Sequence, residues 1–164
     1  MDIILEELIA GLPDTRQAVR MVVRLLVAML LGAVIGVQRE QTGKPAGLRT
    51  HMLVALGAAL FVLAPVEGGM TSADLSRVIQ GLAAGIGFIG GGAILKLSEE
   101  RDIQGLTTAA GIWMTAAVGV AAGLGRLGVA LLSVALAWVT LAVIGKIEHR
   151  ISAGQAARAN NAEK

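Results

Sequence analysis

The chain contains no cysteine, so neither a disulfide framework nor a thiolate metal site is available to it. Aromatic residues are scarce, with two tryptophans, two phenylalanines and no tyrosine, and the net charge is only +2. We therefore expect no nucleic-acid partner, because such partners need basic surfaces and stacking aromatic side chains. Only 16% of the 164 residues are charged, whereas 55% are hydrophobic. This surplus of apolar side chains predicts a protein surrounded by membrane lipids.

Long apolar runs predict the fold class, which is an all-α, multi-pass bundle of about five transmembrane helices. A spanning helix needs ~20 apolar residues, with ~17 as the usual lower limit. The second run is short for this purpose, and it becomes adequate if its helix begins near Leu48. The runs cover residues 21–37, 50–64, 78–97, 106–124 and 127–144.

The segments outside these runs complete the predicted domain organisation. Leu5 and Leu8 fall on one helical face while Glu6 and Glu7 fall on another, which indicates a short interfacial helix over residues 1–18. The transmembrane domain follows over residues 19–151. The polar residues 152–164 predict a disordered cytoplasmic tail.

Basic residues are divided unequally between the two faces that five spans create. The poorer face has five and the richer face has nine. By the positive-inside rule the richer face is cytoplasmic, which predicts an outside N-terminus and a cytoplasmic C-terminus. We expect Arg24, inside the first run, to snorkel towards the outer surface. The poorer face carries Arg16, Arg20, Arg24, Arg77 and Arg126, and the richer face carries Arg39, Lys44, Arg49, Lys96, Arg101, Lys146, Arg150, Arg158 and Lys164.

Glycines recur at spacings that suit close helix packing. Residues 85–90 read Gly-Ile-Gly-Phe-Ile-Gly, which matches a dinucleotide-binding fingerprint, but they lie inside an apolar run and follow no strand. We interpret the glycines instead as packing faces, since small residues let helix backbones approach closely in lipid. The predicted packing residues are Gly32, Gly36, Gly81, Gly85, Gly87, Gly90, Gly91, Gly92, Gly119 and Gly123.

A second interpretation of the third run stays open at this point. Five glycines within residues 85–92 weaken a helix, since each costs ~0.5 to 1 kcal/mol relative to alanine. In this second interpretation the third span is a helix that is broken near the bilayer midplane. Its exposed backbone would line a site, as in many transporters.

Polar residues near the ends of the spans form the one candidate pocket. All twelve acidic residues lie outside the apolar runs, so we expect no metal site, no catalytic residues and no cofactor. Basic and hydroxyl side chains gather on the predicted cytoplasmic face, where an anion or a carboxylate of a partner would bind. The plainer alternative is a basic lipid anchor, with Arg49 and His51 facing the headgroups and threonines that only cap helices. The pocket residues are Arg39, Glu40, Arg49, Thr50, Gln80, Thr107 and Thr108.

Four ordered motifs resemble the MgtC/SapB family of bacterial inner-membrane proteins. They are Ile-Gly-Val-Gln-Arg-Glu at 35–40, Lys-Pro-Ala-Gly-Leu-Arg-Thr-His at 44–51, the glycine-rich 85–92, and Gly-Leu-Thr-Thr-Ala-Ala-Gly-Ile-Trp at 105–113. The resemblance runs from about residue 20 to 150 and adds Trp113 to the candidate pocket. The chain departs from the family pattern at Gln38, Gln104 and Gly111. We expect the membrane domain of the family alone, without the C-terminal cytoplasmic domain that many relatives carry.

The resemblance implies a membrane protein linked to magnesium homeostasis and, in pathogens, to virulence. We expect a non-enzymatic protein that regulates other membrane machinery during magnesium limitation or acid stress. The implied partners are a second copy of the chain, with a dimer favoured, and another membrane protein such as ATP synthase. The alternative is a cation transporter for Mg2+, or an accessory subunit of one.

Overall fold

Five helices joined by short connections make up the computed structural model, which describes residues 14–96 and 103–144. The all-α fold predicted from the apolar runs is confirmed. The last helix continues as a short π-helical turn over Thr140–Ile144. The helices are α1 (Thr15–Gln41), α2 (Leu48–Glu67), α3 (Ser72–Gly92), α4 (Leu106–Gly123) and α5 (Leu127–Val139).

Three of the described helices, α1, α2 and α4, are long and apolar enough to cross a membrane. Helix α1 has 27 residues and is about 40 Å long, more than a bilayer core of about 30 Å. Helix α2 begins at Leu48 and reaches 20 residues, which is the start that its short apolar run requires. Helix α3 is less apolar because its first half contains Asp74, Arg77 and Gln80, and residues 127–143 form a shorter apolar helix.

The connection between α3 and α4 differs from the sequence prediction. The apolar run predicts helix as far as Leu97, but α3 ends at Gly92, after three consecutive glycines. Short strands β1 (Leu95–Lys96) and β2 (Ile103–Gln104) then pair in antiparallel fashion, with Leu95 opposite Gln104. Because consecutive glycines hold a helix weakly, the chain leaves the helix there although it stays apolar.

The broken-helix interpretation of the third run is wrong. Helix α3 is continuous from Ser72 to Gly92, so the glycines of residues 85–92 lie at its C-terminal end. At that end Ala93 N–H still donates to the Ile89 carbonyl at 3.2 Å. The helix therefore keeps its backbone hydrogen bonds internal over the whole glycine-rich segment.

Glycines of α1 and α4 hold the centre of the bundle against α2. A Cβ atom on Gly32 would lie 2.5 Å from the His51 carbonyl oxygen of α2, and one on Gly123 would lie 2.5 Å from the Ala59 oxygen. Gly36 and Gly119 are as close, against Leu48 and Ala55. Helix α2 is thus packed backbone to backbone between α1 and α4.

The other predicted packing glycines lie elsewhere. Gly90 faces Ala109 of α4, where an added Cβ would meet the Ala109 Cβ at 3.5 Å. An added Cβ would find open space at the remaining five. Their packing role stays a prediction, and it concerns contacts outside this chain. The five are Gly81, Gly85, Gly87, Gly91 and Gly92.

Two clusters of small and branched side chains form the core. The larger joins α1, α2, α4 and α5 through residues such as Ile35, Ala59, Val118 and Val134. The smaller joins α2, α3 and α4 around Ile112. Many large apolar side chains remain exposed on the outer helix faces, including Phe88 at 85%. Such a surface suits lipid as its solvent.

Two predicted segments lie wholly or mostly outside the described residues. The cytoplasmic tail over 152–164 is one of them. The interfacial helix over 1–18 is the other, and its described part, from Thr15 onwards, belongs to α1. The boundary predicted after residue 18 therefore falls inside one continuous helix.

Gly119→Ala tests the close packing of α2 between α1 and α4. The added Cβ would overlap the Ala55 carbonyl oxygen and lie 2.9 Å from the Ala58 Cβ, so the helices must separate. We expect the free energy of unfolding to fall by about 1–3 kcal/mol. Titration with dodecyl sulfate in mixed micelles, followed by circular dichroism, measures it.

Gly57→Ala is the matched control, because an added Cβ at this α2 position meets nothing within 4 Å. It should leave stability unchanged or raise it by about 0.5–1 kcal/mol through helix propensity. Equal stability of the wild-type and Gly119→Ala proteins would contradict the packing described here.

Candidate functional site

Arg39 lies in the last turn of α1 and is buried, with only 3% of its surface exposed. Its Nη2 donates a hydrogen bond of 2.6 Å to Oγ1 of Thr108, which is itself 2% exposed in the first turn of α4. Among the described residues Arg39 forms no ion pair, and its Nε has no hydrogen-bond partner. A guanidinium in the interior is therefore held by one neutral hydroxyl.

Glu40, the acidic neighbour of Arg39, is engaged elsewhere. Its Oε2 accepts a hydrogen bond of 2.8 Å from the N–H of Leu48, the first residue of α2. The helix needs this acceptor because its N-cap residue, Gly47, has no side chain. Glu40 thus fixes the turn between α1 and α2 and leaves the Arg39 charge uncompensated within the described residues.

His51 lies one turn into α2 and is fully buried. Its Nδ1 is 3.1 Å from the Gly47 carbonyl oxygen, and since a carbonyl only accepts, Nδ1 carries the hydrogen. Its Nε2 has no partner among the described residues and faces Gly111 of α4, where an added Cβ would lie 3.6 Å away. We call Arg39, His51 and Thr108 the Arg39 cluster.

Gly105 sets the position of the α4 N-terminus. It has a φ of +96°, a left-handed conformation that favours glycine, and an added Cβ would overlap the carbonyl of Ala93 at the end of α3. Gly105 is the N-cap residue of α4 and has no side chain that could cap the helix. The first turn of α4 is therefore brought beside Arg39 without a side-chain cap from its own N-cap residue.

The structure brings together only part of the predicted pocket. Arg39 and Thr108 are in direct contact, with Glu40 in the adjoining turn. The side chains of Arg49, Thr107 and Gln80 are exposed, and Trp113 is 52% exposed. Thr50 is half-buried.

Gln80 is separated from the cluster along its helix. It precedes the end of α3 at Gly92 by twelve residues, which is about 18 Å of helix. Gln80 therefore does not belong with residues at the start of α4.

The expected position of His51 in the headgroup layer is wrong, since the structure buries it between the helices. The helical period of the sequence could have predicted this burial. His51, Ala55 and Ala59 follow one another at intervals of four residues, and both alanines are buried. Its ring is small enough for the interior where the facing residue, Gly111, has no side chain.

Two departures from the family pattern also lie near the cluster. Gln38 Oε1 is buried and accepts no hydrogen bond from any described residue, while the Gln104 side chain is exposed. These two amides are therefore not bonded to each other. Within residues 14–96 and 103–144, no group of three His, Cys, Asp or Glu side chains is placed to hold a metal ion.

Arg24 occupies the opposite end of α1 and is not a free lipid anchor. Its Nη1 is 3.6 Å from a Glu67 carboxylate oxygen at the end of α2 and donates to the Gly123 carbonyl oxygen at 3.4 Å. Gln17 also donates to Glu67. The Arg24 side chain is therefore held by α2 and α4 instead of extending alone towards the surface.

Comparison with known proteins gives these residues a context. The profile of the MgtC family matches residues 25–150. Protein SrpB of Synechococcus elongatus is 46% identical over 130 residues, which are 73% of this chain and 71% of SrpB. The putative magnesium transporter YhiD of Escherichia coli is 37% identical over 124 residues, or 71% of this chain and 57% of YhiD.

Protein MgtC of Salmonella typhimurium is 44% identical over 97 residues, which cover 58% of this chain and 40% of MgtC. The chain thus spans only part of the length of these relatives. No solved structure matches it. The family profile covers most of the helical bundle, including the Arg39 cluster, and three of its helices can cross a membrane. This chain belongs to the MgtC family of membrane proteins.

Proposed function

We propose that this chain is a non-enzymatic membrane protein that regulates other membrane machinery during magnesium limitation or acid stress. The observation that carries the proposal is the buried Arg39 guanidinium, bonded to Thr108 between α1 and α4. A fixed positive charge in the interior repels a divalent cation, and Mg2+ requires oxygen ligands in an octahedral arrangement. The polar interior therefore favours a regulatory function over conduction of magnesium.

The magnesium connection is supported by the family and by the name of the YhiD relative. The resemblance to MgtC/SapB proteins adds the regulatory function and a partner such as ATP synthase. In the proposed arrangement the end of the bundle that contains Arg39 faces the cytoplasm of a bacterial cell, because basic residues are more numerous on that face of the bundle. The chain then acts on its partner within the inner membrane.

Exposed surface on α3 supports an assembly. Gly81 and Gly85 are exposed and have open space beside them, and Phe88 is 85% exposed. The exposed glycine backbone lets a second helix approach closely, and the Phe88 ring adds contact area, so this face favours packing against another helix over contact with lipid alone. In the proposed homodimer this face of α3 meets the second copy.

A second candidate function is magnesium transport, and one specific observation favours it. The YhiD relative, 37% identical over 124 residues, is named a putative magnesium transporter. A transport path through this chain would have to avoid the Arg39 cluster or neutralise its charge.

Magnesium flux into liposomes separates the two candidates. The purified full chain is reconstituted into liposomes that enclose a fluorescent magnesium indicator, with empty liposomes and Arg39→Gln as controls. A regulator should give flux equal to that of empty liposomes under both inward and outward gradients. Saturable Mg2+ uptake by the wild-type protein would establish transport and overturn the regulatory proposal.

Growth at low magnesium tests the importance of the Arg39 cluster. In a strain that lacks its own family member, Arg39→Gln should abolish the growth that the wild-type chain restores, because the buried interaction with Thr108 is lost. Arg49→Gln makes the same chemical change at an exposed site on the same end and should restore growth fully. Immunoblots of membrane fractions confirm equal protein levels. Equal growth with both variants would show that the function does not depend on the Arg39 cluster.

A further inference from the structure

The Arg39 cluster has an unbalanced positive potential. Each helix N-terminus carries a partial positive charge of about half a unit, which favours anions and disfavours cations. The buried Arg39 guanidinium nevertheless lies against the first turn of α4, through its bond to Thr108. Burying a charge without a counter-charge is strongly unfavourable. Among the described residues no carboxylate compensates either positive group.

Unpartnered polar atoms point to a ligand at this place. Arg39 is only 3% exposed, and its Nε–H has no acceptor within the part of the chain that the structure describes. His51 is fully buried, and its Nε2 lacks a partner within the same residues. Nearly all buried polar groups in proteins are paired, so two unpaired atoms in one cluster require an explanation. The hydrogen-bonding needs of the two atoms are different.

The two atoms require opposite partners. The Arg39 Nε–H is a donor and needs an acceptor. In the neutral His51 ring the hydrogen is on Nδ1, directed at the Gly47 carbonyl, so Nε2 carries a lone pair and needs a donor. A ligand that satisfies both must present an acceptor oxygen and a hydroxyl hydrogen.

Both side chains lie against α4, Arg39 through its Nη2 and His51 through its Nε2. Arg39 contacts Thr108, and His51 Nε2 faces Gly111. Residues three apart on a helix are neighbours on its surface, roughly one turn apart. The two side chains therefore reach neighbouring positions of α4.

We infer that the Arg39 cluster and the first turn of α4 bind a small oxyanion that carries one hydroxyl group, of the size and shape of hydrogencarbonate. Its charged oxygens face Arg39 and the α4 backbone N–H groups, and its hydroxyl donates to His51 Nε2. The inference rests on the proposed function only in taking the Arg39 cluster as the functional centre. It adds a ligand class and a signal to which a regulator would respond.

The test compares hydrogencarbonate with nitrate, a planar oxyanion of similar size without a hydroxyl. The purified full chain in detergent micelles is titrated at pH 8 with each sodium salt, and sodium gluconate keeps the ionic strength constant. Thermal unfolding reports binding, because a ligand of the folded state raises the midpoint saturably. Hydrogencarbonate should bind about ten-fold more tightly than nitrate, which is the effect of one hydrogen bond.

Gly111→Ser provides a variant that should fold well. An added Cβ at this position makes an ordinary contact with His51 Nε2 at 3.6 Å, and the serine hydroxyl can then donate to that atom. The ring no longer needs a donor, so the ten-fold preference for hydrogencarbonate should disappear. Gly111→Ala adds the same carbon without the hydroxyl and should keep the preference. Arg39→Lys retains the charge but lacks the Nε–H, and it should weaken the binding of both anions.

A spectroscopic signal identifies the atom involved. The chain has two histidines, so His149→Gln leaves the His51 ring as the only source of imidazole 15N signals. Hydrogencarbonate should shift the His51 Nε2 resonance, whereas nitrate should not. Equal affinity for the two anions, no saturable binding of either, or a preference that persists in Gly111→Ser would each overturn the inference.

Failure of this inference is distinguishable from failure of the proposed function. If the chain supports growth at low magnesium but binds no hydrogencarbonate, only the inference of an oxyanion ligand is overturned. A chain that binds hydrogencarbonate with the stated preference but conducts Mg2+ through liposomes overturns the regulatory proposal alone.

Discussion

The close approach of α2 to α1 and α4 is the constraint on which the rest of the structure depends. Where Gly32 and Gly123 face carbonyl oxygens of α2, no side chain separates the backbones. In lipid there is little hydrophobic gain from bringing helices together, so dense van der Waals contact must supply it. Glycine permits this contact because its backbone offers a flat surface, and the small alanines of α2 complete it. The helices α1, α2 and α4 therefore pack together as the centre of the bundle.

The same constraint creates the polar cluster. Because α2 is held tightly between its neighbours, the ring of His51 lies in the interior, where Gly111 leaves room for it. Gly105 brings the first turn of α4 to the end of α1, where Thr108 accepts a hydrogen bond from the Arg39 guanidinium. Packing and polar chemistry thus depend on the same backbone distances. A change that separates these helices would weaken both together.

Sequence periodicity predicted much of the fold and less of the site. Long apolar runs located all five helices, since burial in lipid requires them. The end of α3 was missed because residues 93–97 stay apolar after the helix stops, so hydropathy does not mark the boundary. Of the pocket residues, Arg39 and Thr108 meet because α1 and α4 run in opposite directions, whereas Gln80 lies too far along α3. Which side chains meet depends on helix rotation and tilt, which only the packed structure provides.

The two arginines of α1 show why the two ends of the bundle differ in chemistry. Arg24 lies beside the last carbonyls of α4 and pairs with Glu67, so both the helix dipole and a carboxylate balance its charge. Arg39 lies beside the first turn of the same helix, where the dipole has the opposite sign. The fold therefore stabilises the charge of Arg24 and destabilises the charge of Arg39. Burying an opposed charge is unfavourable, so among the described residues helix packing and electrostatics conflict at the Arg39 end and agree at the Arg24 end.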